Sequence, residues 1–183
     1  MALQLVYETH AITTDNEAGI ATGWLPGELS ARGRETAAEL GARRRDDGLD
    51  AVYVSDLERA LETVRIAFAD VAIPTHIDGR LRECNYGRRN GMPRQDLERE
   101  RAHHLDFPWL GGESYRDVVA RTRSLLDDLR ARHDGGRVLV VAHSANLLAL
   151  DHLLLGYDLG ALIAAPFEWQ PGWEYVLETV PPP

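Results

Sequence analysis

The run Val-Leu-Val-Val-Ala at residues 138–142 leads directly into His143, and it decides how the chain folds. A short β-branched and aliphatic run of this kind predicts a buried strand. A second run, Leu-Gln-Leu-Val-Tyr at residues 3–7, is followed three residues later by His10. Groups just past the carboxyl ends of parallel strands face the ligand crevice of an open α/β sheet. The two histidines, from opposite ends of the sequence, are therefore predicted to face one site.

The remaining segments alternate between strand and helix patterns. We expect strands at Leu3–Glu8, Ala51–Val54, Val71–His76, Arg137–Ala142 and Trp173–Thr179, the third of them near an edge because it carries Pro74. We expect five helices. The first runs from Ser30 to Asp46, and the second follows a cap at Ser55 or Asp56. The others are expected at Arg94–His103, from a Ser114–Asp117 capping box to Arg132, and at Ala145–Leu155. This order predicts a single α/β domain over residues 1–183. Its architecture is a three-layer α/β/α sandwich, with a mostly parallel sheet and helices on both faces.

Composition limits the expected partners and compartment. The chain has 183 residues, a formal net charge of −9 and no basic stripe, so we do not expect nucleic acid as a partner. No apolar run approaches the roughly 20 residues of a membrane span, and Met1 leads almost directly into a strand rather than a signal peptide. Cys84 is the only cysteine, so an intrachain disulfide is impossible and a cytoplasmic location is the simplest interpretation.

All 20 basic residues are arginine, because the chain contains no lysine. Lysine chemistry of the Schiff-base or P-loop type is therefore excluded. Arginine must also fill ordinary surface roles, and we expect Arg43 to Asp47 to form a solvated helix end. Trp169 and Trp173 are expected in the core or covering it, and Cys84 is expected to pack rather than react.

Four clusters carry candidate chemistry. In chain order they contain His10 with Asn16; Ser55, Arg59 and Thr63; Glu83; and His143 with Ser144. A neutral imidazole can attack phosphorus, an arginine and a second histidine can neutralise phosphoryl charge, and a protonated glutamate can protonate a leaving oxygen. The set indicates phosphoryl transfer, and no histidine spacing typical of a metal site accompanies it.

In this order the clusters resemble the histidine phosphatase superfamily, which includes the cofactor-dependent phosphoglycerate mutases. That family has Arg-His-Gly after its first strand and an Asn six residues past the His, the spacing of His10 and Asn16. Other matching motifs are S-x-L-x-R-A-x-x-T at 55–63, L-x-E at 81–83 followed by Gly87, G-E-S at 112–114, and A-H-S at 142–144, where Ser replaces the usual Gly. The resemblance covers most of the chain and implies a phosphoglycerate mutase-like fold.

The resemblance also implies roles for individual residues. His10 would be the phosphorylated nucleophile, Arg59 a phosphate ligand, His143 a transition-state stabiliser and Glu83 the general acid. Substrate-binding positions would be Thr9, Asn16, Thr22, Gly23, Tyr86 and Ser144, the last of which we also expect to cap a helix.

One position departs from the family pattern, because Thr9 stands where the family has its first arginine. An arginine–phosphate contact contributes about 1.5–3 kcal/mol. Its loss predicts a phosphoryl site that is roughly 10–100-fold weaker. One hypothesis is that Arg82, Arg88 or Arg89 compensates from the general-acid loop.

We therefore expect a metal-independent phosphatase that hydrolyses a small phosphomonoester through a phosphohistidine on His10, without a cofactor. The alternatives are a catalytically weak or inactive phosphate-ligand-binding module, a phosphoglycerate mutase-type phosphoryl transferase, and another metal-free hydrolase or transferase. The expected ligand is a small phosphorylated metabolite. The sequence leaves the oligomeric state open, and a homodimer is one of the possibilities. We assign substrate choice to Arg88–Gly112, where the candidates are Arg88, Arg89, Arg94, His103, His104 and Trp109.

Overall fold

A computed structural model describes residues 2–178 and contains a five-stranded sheet in the order β4-β3-β6-β1-β7. The strands of this sheet are β1 (Leu3–Thr9), β3 (Ala51–Val54), β4 (Thr75–Ile77), β6 (Arg137–Ala142) and β7 (Trp173–Leu177). A separate two-stranded ladder joins β2 (Ile20–Ala21) to β5 (Met92–Pro93). The helices are α1 (Thr14–Glu17), α2 (Ala31–Arg44), α3 (Glu58–Ala67), α4 (Arg94–Glu100), α5 (Tyr115–Arg132), α6 (Ser144–Leu155) and α7 (Leu159–Ala164).

The sheet is mostly parallel, as the sequence predicts. Strand β6 pairs in parallel with β1 on one side and β3 on the other, while β7 runs antiparallel to β1. A central strand covered on both faces needs apolar residues at every position, which explains the unbroken run at 138–142. The two faces carry separate cores: Leu139 and Val141 pack on the face of α2 and α3, and Val138 and Val140 pack on the face of α5 and α6.

The sheet register brings the two histidines together. Thr9 lies opposite Ala142 in the β1–β6 ladder, and the backbone N–H of His10 donates to the carbonyl of Ala142 at 2.9 Å. Below them, the buried hydroxyl of Tyr7 donates to the carbonyl of His143 at 2.5 Å. Because the two strands are neighbours that end at the same level, the residues that follow them share one edge of the sheet.

Several expected boundaries are wrong. The third strand of the sequence analysis is shorter and later, at Thr75–Ile77, because Pro74 cannot donate to a ladder; its predicted edge position is correct. Helix α3 begins after Leu57 with no side-chain cap, so neither Ser55 nor Asp56 caps it. Helices α1 and α7 and the β2–β5 ladder were not predicted, since segments this short show little periodicity. Thr179 and the proline tail at 181–183 lie outside the described residues.

The arginine-rich end of α2 is only partly a solvated surface: Arg45 and Asp46 are exposed as expected, but Arg44 is not. The Glu8 side chain is 1% exposed and accepts from Arg44 Nε at 2.8 Å and from Arg43 Nη2 at 3.2 Å. Arg44 is itself buried, and it also pairs with Asp47. The ion pair therefore joins β1, two residues before His10, to the carboxyl end of α2.

Among residues 2–178, no helix is both long and apolar enough to cross a membrane.

The buried ion pair generates a stability prediction. Replacing Glu8 by Gln removes the buried carboxylate that Arg43 and Arg44 share and leaves Arg44 with only partly exposed carboxylates, among them Asp47. Breaking a buried pair typically costs about 3 kcal/mol or more. We expect Glu8→Gln to lower the free energy of unfolding in urea by about this amount. Arg65→Ala, which removes an exposed pair with Glu58, serves as the control and should change it by less than about 1 kcal/mol. A loss for Glu8→Gln as small as the control's would contradict this assignment.

Candidate active site

The centre of the site is the buried guanidinium of Arg59, which is 2% exposed. Its Nε donates to His10 Nε2 at 3.3 Å, and its Nη2 lies 3.3 Å from His143 Nδ1. The two imidazole rings have centroids 5.0 Å apart. The same guanidinium donates to the carbonyls of Gly23 at 2.8 Å and Leu25 at 3.3 Å. One cation thus contacts both histidines and fixes the loop that covers them.

Helix α3 is held so that Arg59 reaches this position. The hydroxyl of Thr63 donates to the carbonyl of Arg59 at 2.7 Å and accepts from the backbone N–H of Ala11 at 3.0 Å. Residues four apart lie on the same helix face, so this bond ties the face carrying Arg59 to the segment after His10. The expected shared face of Arg59 and Thr63 is present in the structure.

The turn carrying the Gly23 carbonyl requires a glycine. Gly23 has φ of +58°, and a Cβ at this position would lie 2.0 Å from Oδ1 of Asn90. Left-handed backbone and close approach both favour glycine. The carbonyl that accepts from Arg59 is therefore fixed by local sequence.

His10 is held as a neutral imidazole. Its Nδ1 lies 2.7 Å from the carbonyl of Ala11, so Nδ1 carries the proton and Nε2 keeps its lone pair. Burial and the charge of Arg59 lower the pKa of His10 to about 3. The unprotonated Nε2 is the form that attack on phosphorus needs.

His143 is fully buried beside it and is also kept neutral. A guanidinium only donates, so His143 Nδ1 accepts from Arg59 and the proton lies on Nε2, 2.9 Å from Ser55 Oγ. Burial, Arg59 and His10 all lower the pKa of His143 well below its usual value. Ser55 therefore orients this histidine instead of capping α3.

Glu83 lies at the amino end of α6. Its Oε1 accepts from the backbone N–H groups of Cys84 at 2.7 Å and Ala145 at 3.2 Å, and its Oε2 accepts from the Ser144 hydroxyl at 3.0 Å. Ser144 is the first residue of α6 and follows the cap residue His143, so the prediction that Ser144 caps the helix is wrong. Its hydroxyl instead positions the carboxyl group.

A cleft of about 600 Å³ opens onto this centre. Its volume is typical of a small-molecule site. Most of the predicted site residues line it: His10, Arg59, Glu83, Thr9, Asn16, Thr22, Gly23, Tyr86 and Ser144. His143 is not part of the lining, because it is buried beside His10 and Arg59.

Two of the lining residues are held by local bonds. The Asn16 side-chain oxygen accepts from the N–H of Thr13 in a capping box, which leaves its NH₂ group as the donor available to a ligand. The Thr22 hydroxyl donates to Asp15 at 2.8 Å. Both side chains are thus positioned before any ligand binds.

The expected compensating arginines lie elsewhere. Arg82 pairs with Asp56 and stacks on Trp24, Arg89 pairs with Glu100, and neither lines the cleft; Arg88, also outside the lining, is exposed. Of the residues expected to choose the substrate, only Arg94 lines the described cleft, whereas Arg88, Arg89, His103, His104 and Trp109 do not.

Sequence reasoning did not place several residues in the cleft lining, namely Arg32, Thr36, Leu40, Arg43, Leu97, Phe167 and Trp169. Trp169 is 58% exposed on the edge of the cleft and is therefore not a core residue. The α2 residues carry a helical pattern, but only the tertiary packing turns this part of the helix toward His10. Within the described residues, no group of three His, Cys, Asp or Glu side chains could hold a metal ion.

Comparison with known proteins agrees with this geometry. Residues 9–171 match the model of the histidine phosphatase superfamily (branch 1). The chain is 32% identical over 169 residues to phosphoserine phosphatase 1 of Hydrogenobacter thermophilus, covering 86% of this chain and 78% of that protein. It is 30% identical over 161 residues to a 2,3-bisphosphoglycerate-dependent phosphoglycerate mutase of a Bradyrhizobium species, and the match covers 80% of this chain and 78% of that protein.

A solved structure shows the same fold. Bacillus stearothermophilus YhfR superposes with a TM-score of 0.83 at 28% identity, covering 94% of this chain and 90% of that one. The three-layer arrangement, with its mostly parallel sheet, is thus the phosphoglycerate mutase-like fold that the sequence predicted.

The low pKa of His10 predicts how stability depends on pH. An unfolded histidine takes up a proton below about pH 6.5, whereas folded His10 does so only near pH 3. Between these values the unfolded state binds more protons, so the free energy of unfolding falls as the pH is lowered. We expect the free energy of unfolding in urea to fall less steeply for His10→Gln than for the wild type between pH 6 and 4.5. The two slopes should differ by up to about 1.4 kcal/mol per pH unit.

Above pH 7.5 the histidine is neutral in both states, so the stability difference between the two proteins should be constant there. Equal slopes in the acid range would show that His10 is readily protonated in the folded protein.

Proposed function

The chain belongs to the histidine phosphatase superfamily, and we propose that it is a metal-independent phosphatase acting on small phosphomonoesters through a phosphohistidine at His10. The observation that carries the proposal is the neutral Nε2 of His10, held in a cleft beside Arg59 and Glu83. These groups supply a nucleophile, a cation and a proton donor at one place. The ligand in this proposal is a small phosphorylated metabolite.

In the first step, His10 Nε2 attacks phosphorus while the bond from phosphorus to the alcohol oxygen breaks. Glu83 gives its proton to that oxygen, and the alcohol leaves. The Ser144 hydroxyl can donate to Glu83 or accept from it, so it remains a partner in both protonation states. The proton on His10 Nδ1 stays in place, bonded to the carbonyl of Ala11.

In the second step, water attacks phosphorus and gives a proton to Glu83. The bond from phosphorus to His10 Nε2 breaks, and inorganic phosphate leaves with both catalytic groups restored. Arg59 stabilises the negative oxygens in each step, and its Nε turns from His10 Nε2 to a phosphoryl oxygen as that nitrogen bonds phosphorus. His143 accepts from Arg59 through Nδ1 and donates to Ser55 through Nε2, so in this proposal it stabilises the transition state through Arg59, by holding the guanidinium beside the phosphoryl group.

Hydrolysis is favoured over transfer to a second substrate because of water access. Phosphoryl transfer without hydrolysis requires that water be excluded. His10 is partly exposed to solvent in a cleft whose edge residues Phe167 and Trp169 are also exposed. The relatives include both a phosphatase and a mutase, and the exposure of His10 to water supports phosphatase activity over mutase activity for this chain.

Thr9 supports one second candidate, a module that binds a phosphorylated ligand with little or no turnover. Thr9 lines the cleft where the family pattern has its first arginine, so the phosphoryl group has one cation fewer. Arg43 also lines the cleft, but Glu8 already neutralises part of its charge. The retained general acid Glu83 favours the phosphatase, since binding alone needs no proton donor.

The proposal predicts chelator-resistant phosphate release that depends on His10. Purified protein in excess chelator should release phosphate from at least one member of a broad phosphomonoester panel, and His10→Gln should lower this at least about 1,000-fold. Arg65→Ala changes a residue outside the cleft lining; it is the matched control and should keep wild-type rates. No release from any ester by the folded wild type would favour the binding module.

The general-acid role predicts a dependence on the leaving group. Glu83→Gln keeps the side-chain shape but cannot give up a proton, so esters of poorly acidic alcohols should suffer most. We expect kcat to fall about 100-fold or more for an alkyl phosphate and less than about 10-fold for 4-nitrophenyl phosphate. Equal losses for the two esters would assign Glu83 a structural role.

A further inference from the structure

The cleft extends well beyond the reacting groups. Past Thr9 its lining continues along α2 through Thr36, Leu40 and Arg43, and it includes Phe167 and Trp169 from the segment between α7 and β7. We call Phe167 and Trp169 the aromatic rim. A phosphoryl group alone needs only the region of His10 and Arg59. The remaining space is therefore available to the alcohol part of a substrate.

The aromatic rim is exposed although both side chains are large and apolar. Phe167 is 44% exposed and Trp169 is 58% exposed. Exposed apolar surface that borders a cleft is typical of a ligand site, because a ligand that covers it removes it from water. Aromatic rings add a geometric preference for stacking on another flat ring.

The segment that carries the aromatic rim is anchored at both ends. Arg101 Nη2 donates to the carbonyl of Ala165 at 2.7 Å, and Arg44 Nη2 donates to the carbonyl of Pro171 at 3.3 Å. Gly172, at φ of +90°, lies so close that a Cβ there would be 2.0 Å from Arg44 Nη2. Since Arg44 is itself paired with Glu8, the rim is tied to the strand that leads into His10. The rim is thus positioned relative to the reaction centre.

Arg43 adds a polar group to the same part of the cleft. Its Nη2 bonds Glu8, but its side chain is 31% exposed and lines the cleft. The guanidinium carries five N–H donors, so those that Glu8 does not use are available to a ligand acceptor. Ring nitrogens or ring-attached oxygens of a heteroaromatic group are suitable acceptors.

We propose that the aromatic rim and Arg43 bind the leaving alcohol, and that the preferred substrates are phosphomonoesters whose alcohol carries an aromatic or heteroaromatic ring. This inference rests on the proposed phosphatase function and names its substrate class. A small acidic alcohol such as a glycerate or serine would leave the aromatic rim uncovered. The ring of an aromatic alcohol would cover the aromatic rim.

The test compares esters that differ only in the ring. The substrates are 2-phenylethyl and 4-phenylbutyl phosphates, each set against its cyclohexyl analogue, with ethyl phosphate as the ring-free reference. Leaving-group acidity and size are closely matched within each pair, so a difference reports on aromatic stacking. We expect at least one phenyl ester to exceed its cyclohexyl partner about 5- to 10-fold in kcat/KM.

Trp169→Ala should abolish that preference, mainly through KM, and so lower kcat/KM for the phenyl ester about 5- to 10-fold more than for ethyl phosphate. The matched control is Phe107→Ala, which removes a 74% exposed ring that does not line the described cleft, and it should keep the preference. No phenyl preference at either chain length, or an equal loss on all esters in Trp169→Ala, would overturn the inference.

Hydrolysis of other members of the broad phosphomonoester panel but of none of these esters would overturn the inference. If the wild type hydrolyses no ester of that panel either, the proposed phosphatase activity fails and the ring site is judged by binding alone. The probes are then 2-phenylethyl and 4-phenylbutyl phosphonates, titrated by calorimetry. Binding that weakens about 5- to 10-fold in Trp169→Ala would support the ring site, and equal binding by the two proteins would overturn it.

Discussion

The site depends on one buried cation. The Arg59 guanidinium has almost no contact with water, so its charge must be stabilised by protein groups. The carbonyls of Gly23 and Leu25 and the ring nitrogens of the two histidines accept from it. Burial, together with this charge, lowers the pKa of both imidazoles and keeps them unprotonated. A neutral imidazole at His10 and a fixed cation beside it therefore arise from the same contact.

A second buried interaction organises the outer part of the cleft. Glu8 on β1 pairs with Arg44 on α2, and Arg44 also binds the carbonyl of Pro171. Three segments that are distant in sequence meet at this pair. A buried pair of this kind is weak evidence for stability but fixes geometry, because removing either partner leaves the other buried charge less well compensated. The pair thereby fixes the position of the segment that carries Trp169 relative to the strand that precedes His10.

The features predicted from sequence are those that local patterns encode. The apolar run at 138–142 identified the central strand, and the strand ends located His10 and His143 on one edge of the sheet. The four-residue spacing of Arg59 and Thr63 correctly placed both on one helix face. These patterns depend on neighbours in sequence, which is why they can be read without a structure.

The features that were missed depend on long-range contacts. Arg44 lies in a run of three arginines that has the composition of a surface, and only its pairing with Glu8 reveals that it is buried. Ser55 precedes a helix as a cap would, but its hydroxyl bonds His143, which is 88 residues away. Trp169 belongs to an irregular segment without periodicity, so its place beside the cleft followed only from the fold.

The most direct test is to trap the covalent intermediate. Wild-type protein mixed with a substrate from the active panel in chelator, quenched within milliseconds under alkaline denaturing conditions, should contain one added phosphoryl group per chain by intact-protein mass spectrometry. Peptide mapping should place the group on His10, and acid treatment should release it, as expected for phosphorus bonded to nitrogen. Turnover without any phosphorylated protein, or a phosphoryl group that persists in His10→Gln, would contradict the phosphohistidine mechanism.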